Sequence, residues 1–442
     1  MKATAAEPGA TGPGGDCSTH GSAPKPESTV ARYGFIDALR GFALLGVLVH
    51  HVVPRVDGLP RVVKQIAAAG GEGVQLFFVV SALTLFLSFD SRRGTQARPL
   101  TAFFLRRFFR IAPLFYLAAV FYLWYDARWP DAARPSAAAI LATLGFVHVW
   151  HPDWANRVVP GGWSIGVEME FYLLVPLLYA RIRRAETAVT AALVSLLAGG
   201  LLSTVVAAGL PRVLGTDPRA AGLFSWYWLP AQMPVFFLGI TLYFLVRKRL
   251  RSPSAGRDPG RIRGRVLLTT AAYLLAAATI SDLHLYLGHA LFGVAFVLAG
   301  WGLSLCPSPV LVNRVTRGIG TISFSAYITH FAALDLAEGG LALAGTAGLS
   351  PLAALGMLLA TTLGLTVAAS LITYRLIEIP GQQLGRWFIA WSERRRLPAA
   401  GSAHPAAAGA GRPGTRPPSA PPDSSLQPEE RDLDATKAGR AR

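Results

Sequence analysis

Charge is scarce in this chain: Asp, Glu, Lys and Arg make up only 15% of its 442 residues, against 52% hydrophobic residues. Soluble domains carry about a quarter of their residues as charges, so this composition excludes an ordinary water-soluble enzyme and makes a bilayer the main solvent. Acids are scarcer still, 25 against 42 Lys and Arg, for a formal net charge of +17. That sign suits nucleic acid, but the basic residues lie in short clusters between apolar runs, which marks membrane topology and excludes a nucleic-acid partner. Cysteine is confined to Cys17 and Cys306. One lies in a low-complexity stretch and the other at the end of an apolar run, so neither a disulfide nor a metal site is expected. A cleavable signal sequence is not recognisable either. The first apolar run follows about thirty polar residues and contains Asp37 and Arg40, so it is expected to remain as an uncleaved span.

Residues 1–31 and 397–442 are rich in Gly, Ala, Pro and Ser without any apolar period. Such segments cannot bury enough surface to offset their ordering entropy, and both are expected to be disordered tails around one membrane domain, 32–396. No internal repeat is visible. A spanning helix needs roughly 20 mostly apolar residues, because it rises 1.5 Å per residue across about 30 Å of hydrocarbon. Ten stretches qualify: Phe35 to Val53, Gly73 to Phe89, Phe108 to Tyr125, Trp163 to Ala180, Ala188 to Ala208, Tyr227 to Val246, Val266 to Ser281, Leu285 to Leu305, Ile319 to Leu336 and Leu352 to Ile377. Ser136 to Trp150 is apolar but short, and suits either an eleventh span or a re-entrant segment. The expected fold is an all-α polytopic bundle of about ten spanning helices.

Lys and Arg accumulate in cytoplasmic loops. Basic clusters occur at Arg92, Arg93, Arg98, Arg106, Arg107 and Arg110; at Arg181, Arg183 and Arg184; from Arg247 through Arg265; at Arg314 and Arg317; and from Arg394 to Arg396. Ten spans with both termini inside put every cluster in the cytoplasm, provided that Ser136 to Trp150 does not cross. The expected location is the cell membrane.

A charge at mid-bilayer costs about 2.5 to 3.5 kcal/mol on insertion scales, so each ionisable group within a span needs a partner or a use. In FIDALRGFALLGVLVHH, Arg40 and His51 are eleven positions apart, which returns them to nearly one helix face, about 16 Å apart along the axis. Asp37 stands one turn before Arg40 and can pair with it; an interfacial histidine with a structural ion pair would look the same. His50 faces about 100° away. RRFFR places Arg106 and Arg110 on one face with Arg107 beside them, suited to bidentate phosphate binding or to an ordinary basic flank. WSIGVEMEFY sets Glu168 and Tyr172 one turn apart, and ISFSAYITH sets Ser323, Tyr327 and His330 in one polar stripe. YRLIEIPGQQLGR carries Arg375 and Glu378, and its Pro380 and Gly381 are expected to end the last helix.

Taken in order, these segments resemble the acyltransferase-3 family of membrane acyltransferases from Phe35 to Arg386. The resemblance rests on Arg40 with His51; on Arg106, Arg107 and Arg110 followed by Pro113; on Trp163, Ser164 and Glu168; on Ser323, Ser325, Tyr327 and His330; and on Tyr374, Arg375, Glu378 and Pro380. Ala38, Ala82 and Phe324 stand where the family commonly has Gly, Gly and Tyr. Some relatives carry an additional hydrolase-like domain; the short polar tail here implies direct transfer by the membrane domain alone.

The resemblance implies an O-acyltransferase using acyl-CoA, acetyl by default, and acting on a hydroxyl of an envelope carbohydrate, a glycolipid or another small molecule. It implies His51 as general base, Arg40 lining the donor route and Glu168 orienting His51 or stabilising its imidazolium. Arg106, Arg107 and Arg110 would hold the coenzyme phosphates. Trp163, Ser164, Tyr172, Tyr327, His330 and Glu378 would line the substrate site, with Tyr172 and Tyr327 as donors to the carbonyl oxygen. The competing reading is a transporter using the same buried groups as a proton or substrate relay.

Overall fold

Hydrocarbon supplies no partner for a backbone N–H or C=O, so a chain of this composition must satisfy its backbone within helices or a closed barrel. The computed structural model describes residues 33–394 except 93–97, 129–133, 252–259, 282–284 and 344–347, and within them every regular element is helical. Both expected tails lie outside the described residues, as do Cys17, Arg93, Arg395, Arg396 and part of the cluster between Arg247 and Arg265.

The helices are α1 (Gly34–Val52), α2 (Arg61–Gly70), α3 (Gly73–Ser91), α4 (Pro99–Asp126), α5 (Ala137–Leu144), α6 (Gly162–Arg181), α7 (Ala185–Leu214) and α8 (Pro218–Tyr227). They continue as α9 (Leu229–Arg251), α10 (Gly260–Ile280), α11 (Leu285–Leu305), α12 (Arg314–Thr321), α13 (Ser323–Leu343), α14 (Pro351–Thr373) and α15 (Ile379–Arg394). Each of the ten expected spans corresponds to one long helix, α1, α3, α4, α6, α7, α9, α10, α11, α13 or α14. Among the described residues, seven stretches are long and apolar enough to cross a membrane. The three long helices outside those stretches are rich in polar groups: Glu168 and Glu170 in α6, Arg261, Arg263 and Arg265 in α10, and His330, Asp335 and Glu338 in α13. The segment from Ser136 to Trp150 contains only the 8-residue α5 and a single 3-10 turn. At 1.5 Å per residue α5 covers about 12 Å, too little to cross.

Two boundaries differ from expectation. The ninth span does not begin at Ile319, because the helix is interrupted at Ile322 between α12 and α13. Asn313 starts α12 with a capping box, its side chain accepting from the backbone of Val315 and Thr316. Nor do Pro380 and Gly381 end the last helix. Tyr374–Glu378 forms one π-helical turn, in which the N–H of Ile379 reaches the carbonyl of Tyr374, and α15 follows with Pro380 in its first turn. A proline there costs no hydrogen bond, and the widened turn rotates Glu378 into the interior, where it is 4% exposed.

The core joins α3, α6 and α9, where Phe171 stacks on Phe236 at 3.8 Å and Phe78 stacks on Phe236 at 4.6 Å. On α7, Leu193, Leu197 and Leu201 are 58%, 76% and 70% exposed, which lipid tolerates and water would not. Helix α1 is packed by α3, α11, α12, α13 and α14, so its polar stripe is enclosed by protein.

That enclosure needs close backbone approach. A Cβ on Gly320 of α12 would stand 1.7 Å from the carbonyl oxygen of Asp37, and one on Gly41 would stand 2.3 Å from that of Thr316. Gly320→Ala is therefore expected to push α12 off α1 and destabilise the detergent-solubilised protein by about 1–3 kcal/mol. Gly318→Ala, which meets nothing within 4 Å, should be neutral or slightly stabilising in the same thermal-unfolding measurement. Equal midpoints for the two variants would show that the α1–α12 contact is looser than this.

Candidate functional site

Three cavities follow the polar stripe of α1. At the arginine end, a cavity of about 350 Å³ is lined by six guanidinium groups, from Arg40, Arg92, Arg106, Arg107, Arg110 and Arg386, with Asp37 as its lone carboxylate. The RRFFR spacing on α4 delivers three of them, and Pro113 shapes the helix next to them. Proline supplies no N–H for the carbonyl of Phe109 four residues back. Gly381 of α15 packs against that carbonyl, so α15 brings Gln382 and Arg386 to the same cavity. Arg107 Nε is buried with no hydrogen-bond partner, and its guanidinium lies 5.8 Å from the centre of the Tyr172 ring. A buried donor without a partner, in a cavity lined by six guanidiniums and one carboxylate, suits an anion.

Arg40, Thr84, Arg107 and Arg110 also line the second cavity, a narrow one of about 60 Å³ at the centre of the bundle. Here Glu168 accepts hydrogen bonds from Ser81 at 2.5 Å and from Tyr172 at 2.6 Å, both on Oε1. The one-turn spacing read from the sequence explains the Tyr172 bond; Ser81 comes from α3. The guanidinium of Arg40 donates to Thr84 Oγ1 at 3.4 Å.

Tyr327 separates this centre from the third cavity and lines both. Its hydroxyl donates to the carbonyl of Gly161 at 3.0 Å, and Ser164 donates to Tyr327 at 2.8 Å. Gly161 has φ +71°, and a Cβ there would stand 2.9 Å from the Phe331 ring and 3.1 Å from the Tyr327 hydroxyl, so the wall is built on a residue without a side chain. Behind it His148, 1% exposed, donates from Nε2 to the carbonyl of Gly162 at 3.0 Å. Burial lowers the pKa of this imidazole from its ordinary value, which keeps it neutral and suited to bracing the start of α6.

The third cavity, about 280 Å³, holds His51 together with His50, Asn156, Trp163, Trp226 and Tyr227. Trp163 and Tyr227 stack at 4.5 Å. The His51 ring lies 5.3 Å from His330 and 4.5 Å from Phe331. His330 is 1% exposed; its Nδ1 is 2.7 Å from the carbonyl of Tyr327, which can only accept, so in the neutral ring Nδ1 carries the proton. Nε2 is then a bare acceptor, and it is buried without a partner. His50 donates from Nδ1 to the carbonyl of Ala67 at 3.0 Å, a structural bond to α2.

The expected residues thus divide among the cavities. Arg106 lines the arginine end, Arg40, Arg107 and Arg110 line both that end and the centre, Ser164, Glu168 and Tyr172 line the centre, and His51 and Trp163 line the far end. The expectation that Glu168 orients His51 is not met: its partners are Ser81 and Tyr172, and the two residues line different cavities. Glu378 and His330 line none of the three; His330 is buried behind His51, and Glu378 accepts from Ser325 at 2.9 Å and Gln382 at 3.3 Å, tying α13 to α15. Arg92, Arg386, Ser81 and Trp226 were not expected at the site, Arg92 being read only as part of a basic cluster. Only the mid-span hydroxyl of Ser81 carried a signal; the others depend on where their helices end. Among the described residues, no group of three or more His, Cys, Asp or Glu side chains could hold a metal ion.

Residues 33–372 match a family model described as an acyltransferase domain. Acyltransferase MdmB of Streptomyces mycarofaciens is 25% identical over 390 residues, covering 80% of this chain and 93% of the relative. Peptidoglycan O-acetyltransferase OatA of Listeria monocytogenes is 24% identical over 323 residues, 68% of this chain and 49% of the relative. O-acetyltransferase OatA of Staphylococcus aureus is 28% identical over 202 residues, 42% of this chain and 32% of the relative. The matches therefore span about half and about a third of the two OatA chains. No solved structure matches.

The arginine end is expected to bind inorganic pyrophosphate in the purified protein, more weakly as salt rises. Arg107→Gln should lower that affinity about tenfold, or about 1.4 kcal/mol, in calorimetric titration. Unchanged binding would remove Arg107 from the anion site.

Proposed function

The chain belongs to the acyltransferase-3 family and is a multi-pass membrane O-acyltransferase, and we propose that its donor is acyl-CoA, bound at the arginine end, and its acceptor a carbohydrate-like hydroxyl bound beside His51. The observation that carries this reading is the series of three cavities on the α1 stripe, joined at Arg40 and at Tyr327. An activated acyl donor with a phosphorylated head suits six guanidiniums at one end, and a general base suits the other.

The basic loops argue that the arginine end faces the cytoplasm, where acyl-CoA is made, and that both termini lie there in the plasma membrane. The phosphates would rest on Arg106, Arg107 and Arg110, and the thioester arm would pass Arg40 through the central cavity toward Tyr327. His51 would take the proton of the acceptor hydroxyl as its oxygen forms a bond to the thioester carbonyl carbon. Collapse of the tetrahedral intermediate breaks the C–S bond, and the leaving thiolate takes the proton from the His51 imidazolium. His330, whose ring lies 5.3 Å from that of His51 and whose Nε2 has no partner, would share that proton.

Tyr172 and Tyr327 already donate to Glu168 and to the Gly161 carbonyl, so neither hydroxyl is free for the thioester oxygen in this arrangement. Arg40 lines the route by which the arm reaches that point, and Glu168 holds the wall around it. Trp163, Trp226 and Tyr227 offer flat apolar faces on which a sugar ring can rest. The peptidoglycan named for the Listeria relative is one such acceptor class, and acetyl is the expected acyl group. A transporter would move its substrate unmodified, and membership of an acyltransferase family does not favour it.

His51→Ala is expected to abolish transfer of isotope-labelled acetyl from acetyl-CoA to membrane acceptors, a loss of at least about 10²-fold, with expression unchanged. Retained transfer would exclude His51 as the base. His330→Ala should lower kcat about tenfold with the donor KM unaltered, as expected of a group acting only while charge develops. A rise in KM alone would instead make His330 a donor-binding residue.

A further inference from the structure

A fourth cavity, about 380 Å³, opens between the arginine-end termini of α3, α4 and α6, and the acyl-transfer steps above make no use of it. Its walls include the rings of Phe89, Phe103 and Tyr179. Phe89 lies 5.2 Å from Phe103, edge to face, and 5.0 Å from Tyr179, tilted by 40°, so the three form one contiguous aromatic cluster. Tyr179 is fixed by a hydrogen bond to Asp90 at 3.1 Å, and the Arg183 guanidinium lies 5.7 Å from its ring centre. Arg92, Arg106 and Arg183 also line it, with Ser88 and small or apolar residues such as Pro99 and Leu100.

An apolar lipid tail would account for the aromatic wall but not for three guanidiniums around it. A free phosphate would account for the guanidiniums but not for the rings. A nucleotide uses both, since its base stacks on aromatic faces and its phosphates pair with arginine. The volume lies above the roughly 300 Å³ at which small-molecule sites begin. Continuity supplies the second argument. Ser88, Arg92 and Arg106 line this cavity and also the arginine-end cavity that leads past Arg40 to the centre.

We propose that the side cavity between α3, α4 and α6 is the subsite for the nucleotide portion of the donor, with the base against Phe89, Phe103 and Tyr179 and its ribose phosphate on Arg183. Arg92 and Arg106 stand between the two cavities, where the diphosphate would bend from one into the other. This rests on the acyl-CoA reading and adds to it how the protein distinguishes a nucleotide-borne thioester from any other acyl thioester.

The test compares acetyl-CoA with S-acetyl-4′-phosphopantetheine, which keeps the reacting end and one phosphate but lacks the nucleotide, using the full chain in membranes. The expected KM for acetyl-CoA is at least about tenfold lower. Arg183→Gln and Tyr179→Leu should each raise the acetyl-CoA KM toward that of the truncated donor. Both should leave turnover of the truncated donor unchanged, which also reports that the variants are folded. Equal Michaelis constants for the two donors in the unaltered protein, the result expected if the cavity takes a lipid phosphate, overturn the nucleotide subsite while the donor reading stands. Transfer from neither thioester brings down the donor reading itself.

Discussion

A guanidinium or carboxylate cannot rest in hydrocarbon unpaired, and the architecture of this protein follows from finding places for such groups within spanning helices. Arg40 sits two turns inside α1 and His51 about 16 Å further along the same face, so α1 cannot be a lipid-facing helix. It lies instead among α3, α11, α12, α13 and α14, and the space left along its polar stripe is divided into cavities. Charged groups and cavities therefore imply one another: the stripe needs a polar interior, and the cavities are that interior.

Small backbone devices make this enclosure possible. Gly41 and Gly320 let α12 touch α1 through backbone atoms, and Gly161 lets Tyr327 and Phe331 close over the start of α6. Pro113 interrupts the hydrogen bonding of α4 where α15 packs, and the π-turn before α15 turns Glu378 inward to hold Ser325. None of these residues needs to touch a substrate. Each decides where an arginine, tyrosine or histidine that lines a cavity ends up.

The division between Glu168 and His51 shows how chemistry is partitioned along the route. Glu168 belongs to a hydrogen-bonded centre with Ser81 and Tyr172, whereas His51 belongs to an aromatic chamber and has His50 and His330 as polar neighbours. The Tyr327–Ser164–Gly161 bonds lie between the two. On the proposed reading, a donor held at one end and an acceptor held at the other would meet only where this wall is crossed, which would keep the donor from water entering by the acceptor side.

Hydropathy located the ten long helices and the short apolar segment that holds the eight-residue α5, because a span is defined by a local property, the length of an apolar run. Helical periodicity placed Arg40 with His51 and Glu168 with Tyr172, since residues on one helix have a fixed angular relation. It could not see that Pro380 lies in the first turn of a continuing helix, because the five-residue π-turn Tyr374–Glu378 just before this proline absorbs it. Nor could it see that Glu168 faces Ser81, that His330 stands beside His51, or that Arg92 and Arg386 join the RRFFR arginines. Those are relations between helices, and they depend on crossing geometry set by glycine contacts and bulky rings rather than on any spacing along the chain. The sequence by itself determined a membrane bundle with one charged stripe; packing alone decided which of its polar residues share a chamber.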